Sequence, residues 1–361
     1  MRLQSEFRNK EYVGKLAGKI RDIYPGGSMS IMEVCGTHTM AIARFGLREL
    51  LPEGLRLVSG PGCPVCVTPT SIISKALRLA EDPGNVVVSF GDMMRVPADG
   101  LSLEKLRGEG ADVRVVYSPH DVIRIAEHTE KNVIFISVGF ETTTPGVALT
   151  LIEAEKKGLK NLYFLVANRF IIPAMRALCS ADDIMIDGFL CPGHVSVVIG
   201  ANAYNEIASD FGKPCVVSGF EPVDIMLAIY ELVRLISEQK PEVLNMYERV
   251  VTGEGNRSAL SVMDRVFKRV DAEWRGIGVI PQSGGALQGN FAAMDAELRF
   301  KIEPGVTEDP RGCRCGDVLK GIILPPECQL FGKRCTPDNP VGPCMVSSEG
   351  SCAAYYKYRN I

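Results

Sequence analysis

The chain has 361 residues, 46% of them apolar and 23% charged, with a formal net charge of −3. That length exceeds the about 250–300 residues at which single cores stop growing, and the near-neutral balance excludes a basic nucleic-acid binder and a disordered chain. No apolar run reaches the roughly 18 residues that span a bilayer, and the opening MRLQSEFRNKEYVGKLAGKI is too charged for a secretion signal, so the expectation is a cytoplasmic protein without a membrane anchor.

From the N-terminus onward, β-branched runs ending in Gly, Ser or Pro occupy residues 31–34, 55–58, 86–90, 113–117, 133–138, 162–166, 215–217 and 277–280, and each predicts a strand. Segments of helical periodicity at 71–81, 121–131, 148–157 and 223–237 fall between many of them. Such alternation predicts βαβ units, and so an α/β fold of two parallel-sheet lobes followed by a cysteine-rich end. The expected division is a first lobe over 1–140, a second over 141–240, and a helical, cysteine-rich iron–sulfur domain over 241–361. A short echo crosses the two lobes: Gly139-Phe140-Glu141 and Gly219-Phe220-Glu221 each follow a strand and precede a helical run.

The first two strands end in chemistry. Cys35-Gly36-Thr37-His38 follows the first at the carboxyl end, where open α/β sheets bind ligands. A thiol and an imidazole three residues apart on a glycine turn can face one metal ion or form a nucleophilic pair, although a lone buried thiol is the commoner use of cysteine. The second strand runs into SGPGCPVC, where Cys63 and Cys66 form a CxxC pair of the kind that exchanges with disulfides or binds metal. Of four histidines, two stand three residues after a cysteine, His38 after Cys35 and His194 after Cys191. Polar residues close other strands at Gly91-Asp92, Gly139-Phe140-Glu141, Pro192-Gly193-His194 and Gln282-Ser283-Gly284; each alone can be a helix cap, while together they predict one cleft. No glycine-rich nucleotide fingerprint follows any strand.

Twelve cysteines are too many for structural disulfides in a reducing cytosol, and six of them, Cys313, Cys315, Cys328, Cys335, Cys344 and Cys352, fall in the last 49 residues. This Pro- and Gly-rich tail lacks the apolar periodicity of a core and needs a cross-link. Zinc favours paired CxxC knuckles, and none occurs there. The wide intervals Cys313-x14-Cys328-x6-Cys335-x16-Cys352 instead suit a [4Fe–4S] cluster, leaving Cys315 and Cys344 as a spare dithiol beside it.

Taken together, CGTHT (35–39), GPGCPVC (60–66), FGDMMRVP (90–97), GFETTTP (139–145), CPGHVS (191–196), IPQSGG (280–285) and the six-cysteine tail resemble the HypD family of [NiFe]-hydrogenase maturation factors. The resemblance implies a scaffold, monomeric when free, that assembles the Fe(CN)2CO group with a HypC-type chaperone and a HypE-type cyanide donor. By that likeness Cys35 holds the iron with His38 beside it, Cys63 and Cys66 face it as a dithiol, and the tail carries the cluster. Glu141 and His194 are candidates to move protons or orient ligands. Two other readings compete: a stand-alone iron–sulfur dithiol oxidoreductase, which gives Cys35 and His38 no task, and a zinc-stapled binding module, which leaves the strand-end Cys and His residues unexplained.

Overall fold

A computed structural model describes residues 6–181, 183–305 and 308–358. The strands are β1 (Met29–Glu33), β2 (Leu55–Ser59), β3 (Asn85–Ser89), β4 (Val113–Val115), β5 (Asn132–Gly139), β6 (Leu162–Asn168), β7 (Gly188–Pro192), β8 (Cys215–Ser218), β9 (Val243–Asn245), β10 (Phe267–Trp274) and β11 (Gly278–Leu287). They form a five-stranded sheet of order β2-β1-β7-β8-β9, a four-stranded sheet of order β4-β3-β5-β6, and the two-stranded β10-β11. All pairs in the two larger sheets are parallel. The α/β class with parallel-sheet lobes and a cysteine-rich C-terminal region is therefore the architecture of the chain.

Every residue of β1, β3, β7 and β8 is buried, as expected of parallel strands covered by helices on both faces. On the outer face of the first sheet the helices Lys10–Ile23 and Pro222–Ser237 pack together. Val13, Leu16, Ala17 and Ile20 recur on one stripe of the former, and Asn9 caps it by accepting from the Tyr12 N–H at 3.2 Å. Each of the larger side chains contributes about 1.5–3 kcal/mol by leaving water.

Between the sheets lies one continuous apolar core. Met32, Phe189 and Val217 of the first sheet, Val87, Ile134 and Leu165 of the second, the buried face of the helix Thr70–Glu81, Trp274 and the tail residues Cys315, Cys335, Cys344 and Cys352 all belong to it. The chain leaves the first sheet after β2, builds the whole second sheet, and returns at β7. The expected division at residue 140 thus falls between β5 and β6, which pair directly over seven residues.

Seven of the eight predicted runs overlap parallel strands. The eighth, 277–280, opens β11, which runs antiparallel to β10. Ser283 therefore sits inside a strand rather than at the end of one: its Oγ accepts from Trp274 Nε1 at 2.7 Å, and its carbonyl accepts from the Phe170 N–H at 2.9 Å. IPQSGG docks the hairpin onto the chain leaving β6.

Candidate functional site

Cys35 is the last extended residue before the helix Gly36–Arg44, so its side chain projects from the carboxyl end of β1. Strand β7 lies beside β1 and feeds the helix Gly193–Ile199, whose second residue is His194. This adjacency brings His194 Nε2 to 3.5 Å from Cys35 Sγ. The two CxxH spacings are therefore crossed in the fold, because the imidazole on Cys35 comes from the second motif. Cys191 stays fully buried in the core.

His38 faces away from the thiol, toward the end of β8. Its Nε2 lies 2.9 Å from the Gly219 carbonyl, which only accepts, so that nitrogen carries the proton. Burial holds the ring neutral, its pKa lowered to about 4, and Nδ1 is buried with no partner among the described residues. Phe220 lies between the two imidazoles, with ring centroids 4.7 Å from His38 and 4.8 Å from His194. Burial likewise lowers the His194 pKa. The same cause pushes the Cys35 thiol up to about 12, with the Glu349 carboxylate adding to it, so the sulfur keeps its proton until a cation displaces it.

The CxxC motif lies against the same point. The Gly36 N–H donates to the Gly62 carbonyl at 3.2 Å, and any side chain on Gly62 would overlap the backbone of Cys35, so only glycine permits this approach. Next to it, Cys63 and Cys66 form a disulfide with Cα atoms 5.2 Å apart. Both are buried, and Cys63 Sγ accepts from the Cys66 N–H at 3.2 Å at the start of the helix Pro64–Val67.

The tail folds over these motifs. Thr37 donates to Glu349 Oε1 at 2.7 Å, and Ser347 and Ser348 both donate to Asp92 Oδ2 at 2.9 Å. The helix Ser351–Tyr358 packs on Gly36–Arg44, and the helix Pro343–Val346, which carries Cys344, packs on Pro64–Val67, which carries Cys66. Cys313, Cys315, Cys328, Cys335 and Cys352 line one cavity with Val318, Phe331 and Met345. Cys344 is buried behind it, hydrogen-bonded to Cys315. Cys315 is central: hydrogen bonds from Cys313, Cys344 and Cys352 hold it well below the usual thiol range. The Cys313–Cys315 sulfur distance is 3.2 Å. Among the described residues no three His, Cys, Asp or Glu side chains are arranged around a point as ligands of one metal ion.

Glu141 stands apart from this assembly. It is buried at the end of β5, where Oε1 accepts from the Ile171 N–H at 3.0 Å and caps the helix Ile171–Cys179, and burial raises its pKa to about 7. Of the polar strand ends expected to share a cleft, the structure joins Asp92 and His194 to the Cys35 region, directly or through the tail, and leaves Glu141 and Ser283 to structural contacts.

The family model described as "Hydrogenase formation hypA family", HypD, matches residues 11–359. The chain belongs to the HypD family. It is 43% identical over 368 residues to the hydrogenase maturation factor HypD of Cupriavidus necator, covering 99% of this chain and 97% of that protein. It is 45% identical over 368 residues to its counterparts HypD of Escherichia coli K12 and HypD2 of Bradyrhizobium diazoefficiens, again covering 99% of this chain, with 98% and 97% of those proteins. Among the described residues no helix is long and apolar enough to cross a membrane.

The thiols and imidazoles of this chain stand out in its sequence, whereas the residues that hold them do not. Phe220 was visible only as part of the Gly-Phe-Glu echo, and Glu349 only as a tail residue between Ser and Gly. Their contacts with residues 38, 194 and 37 join segments 26 to 312 positions apart, and no local spacing carries that information.

Proposed function

We propose that this chain is a hydrogenase maturation scaffold on which the Fe(CN)2CO group is built, acting in the cytoplasm with a HypC-type chaperone and a HypE-type cyanide donor. One observation carries the reading: the Cys35 thiol lies 3.5 Å from His194, and Gly62, the residue before the Cys63–Cys66 pair, lies on its backbone. Iron carrying cyanide and carbonyl is soft, and a thiolate suits it better than a carboxylate cage. As iron arrives, the Cys35 proton passes to His194 Nε2, the nearest acceptor. His38, tied to Gly219 and to Phe220, orients the surroundings of the thiol.

Cys63 and Cys66 supply the redox step. In the dithiol form they give two electrons to the donor's thiocyanate, whose carbon–sulfur bond breaks. The sulfur leaves as a thiol, the carbon leaves as cyanide for the iron, and Cys63 and Cys66 close to the disulfide. Two protons released by the dithiol balance the thiol and hydrogen cyanide formed.

The tail fits a resident [4Fe–4S] cluster in its donor set, since five cysteines line one cavity and Gly342 leaves Cys313 and Cys315 the space a side chain would fill. Cys313, Cys328, Cys335 and Cys352 would hold it, with Cys315 and Cys344 as the neighbouring dithiol. A cluster bound there supplies electrons one at a time.

A stand-alone dithiol oxidoreductase would leave Cys35 and its contact with His194 without a task. The test is complementation of cells lacking their own HypD family member. The wild-type chain should restore hydrogenase activity and Cys35→Ala should restore none; full restoration by Cys35→Ala would sink the scaffold reading and favour the oxidoreductase.

A further inference from the structure

The tip of the β10–β11 hairpin carries a charge that the scheme above does not use. Arg275 follows Trp274 at the end of β10, and its side chain is 1% exposed. Its backbone N–H donates to the carbonyl of Val67, the residue after Cys66, at 2.9 Å. Its Nε donates to Asp309 Oδ1 and its Nη2 to Thr70 Oγ1, both at 2.7 Å, while Nη1 is buried with no partner among the described residues. The next residue, Gly276, rests on Gly316, the neighbour of Cys315, so closely that a side chain on either would overlap the other's backbone. The tip is thus wedged between the CxxC turn and the cysteine cavity.

A buried guanidinium costs several kcal/mol of desolvation unless negative charge offsets it. Its one carboxylate partner, Asp309, is 40% exposed and shared with Thr70, which accounts for only part of that offset. On the cluster reading, the cysteine cavity that Gly276 adjoins through Gly316 is a further site of negative charge.

We propose that Arg275 is the charge that sets the reduction potential of the cysteine site in the tail. The inference rests on the cluster reading above. When the cluster takes one electron from an external one-electron donor, the site gains one negative charge, with no bond made or broken. A fixed positive charge in a low-dielectric interior favours that more negative state and raises the potential.

The experiment measures the midpoint potential of the full chain, purified anaerobically, by electron paramagnetic resonance at poised potentials with dithionite as reductant. Arg275→Met should disfavour the reduced state at least threefold, about 30 mV downward for a one-electron couple. Asp309→Asn keeps the guanidinium and removes its neutralising partner, so the potential should move upward, and Arg275→Lys should stay near wild type. An anchor that is merely structural loses the same ion pair in the Met and Asn variants, so shifts of one sign, or none, overturn the proposal. Where Arg275→Met does not fold, the upward shift in Asp309→Asn decides alone. Iron and sulfide analysis of the wild type separates the two ideas: a chain that binds no cluster sinks the cluster reading and this inference with it, while a bound cluster with unmoved potentials sinks only the role of Arg275.

Discussion

Gly139-Phe140-Glu141 leaves β5 in the second sheet and Gly219-Phe220-Glu221 leaves β8 in the first, so the same three residues stand at equivalent strand ends with different neighbours. In the second sheet Phe140 is buried and stacked on Trp274, 5.8 Å away, and Glu141 is buried capping a helix. In the first sheet Phe220 is half-buried between His38 and His194, and Glu221 reaches outward to pair with Arg8 at 2.7 Å. A strand-end motif becomes part of a site only where the adjacent strand supplies reactive groups. Strand β8 lies beside β7, which delivers His194, and one strand further is β1, which delivers Cys35. Strand β5 has no such neighbours, and its turn is used for packing.

The largest effect should come from the packing turn. Trp274→Ala removes the ring beneath Phe140 and the bond to Ser283, and should cost about 3–5 kcal/mol in urea unfolding. Phe220→Leu should cost under about 1.5 kcal/mol, since it keeps most of the apolar volume at a half-buried position. Equal losses at the two positions would break the comparison.

Glu141 gives the next largest effect and a pH signature. Its pKa is raised from an ordinary 4.5 to about 7, so the folded chain binds this proton more tightly than the unfolded chain. The associated stability is fully present below pH 4.5 and is lost as pH rises through 7, by about 3 kcal/mol in all. Glu141→Gln keeps the acceptor for Ile171 and should flatten this decline in melting temperature against pH. A decline of the same size in the Gln variant would remove Glu141 from the account.

Smaller effects sharpen the other turn. In wild type the carbon-bound ring protons of His38 and His194 should be shifted upfield in NMR spectra by the face of Phe220. Both should move downfield in Phe220→Leu and return in Phe220→Tyr. Arg8→Ala should leave the unfolding midpoint unchanged at physiological salt, because the Arg8–Glu221 pair is exposed and screened; a clear loss would mean that the second turn also serves packing.

Much of the fold was legible in the chain because parallel strands buried on both faces leave continuous β-branched runs, as at Val86–Val88 and Val133–Val138. Strand β10 was not, since FKRVDAEW alternates charged and apolar residues as an exposed hairpin strand does. The interleaving of the two sheets was equally hidden, because crossover topology is fixed by packing over long sequence separations. At the site, residue types were legible and pairings were not. CGTH suggested that His38 faces Cys35, whereas residue 35 is still extended and residue 38 already lies in the helix, which turns the imidazole toward Gly219. The His194 contact arises from the neighbouring positions of β1 and β7, which no spacing in CPGH reveals.

The most direct measurement is the infrared spectrum of the chain purified anaerobically with its HypC-type chaperone, compared among wild type, Cys35→Ala and His194→Ala. The account predicts cyanide and carbonyl bands in wild type, their loss in Cys35→Ala, and weakened or displaced bands in His194→Ala. Unchanged bands in Cys35→Ala would contradict it.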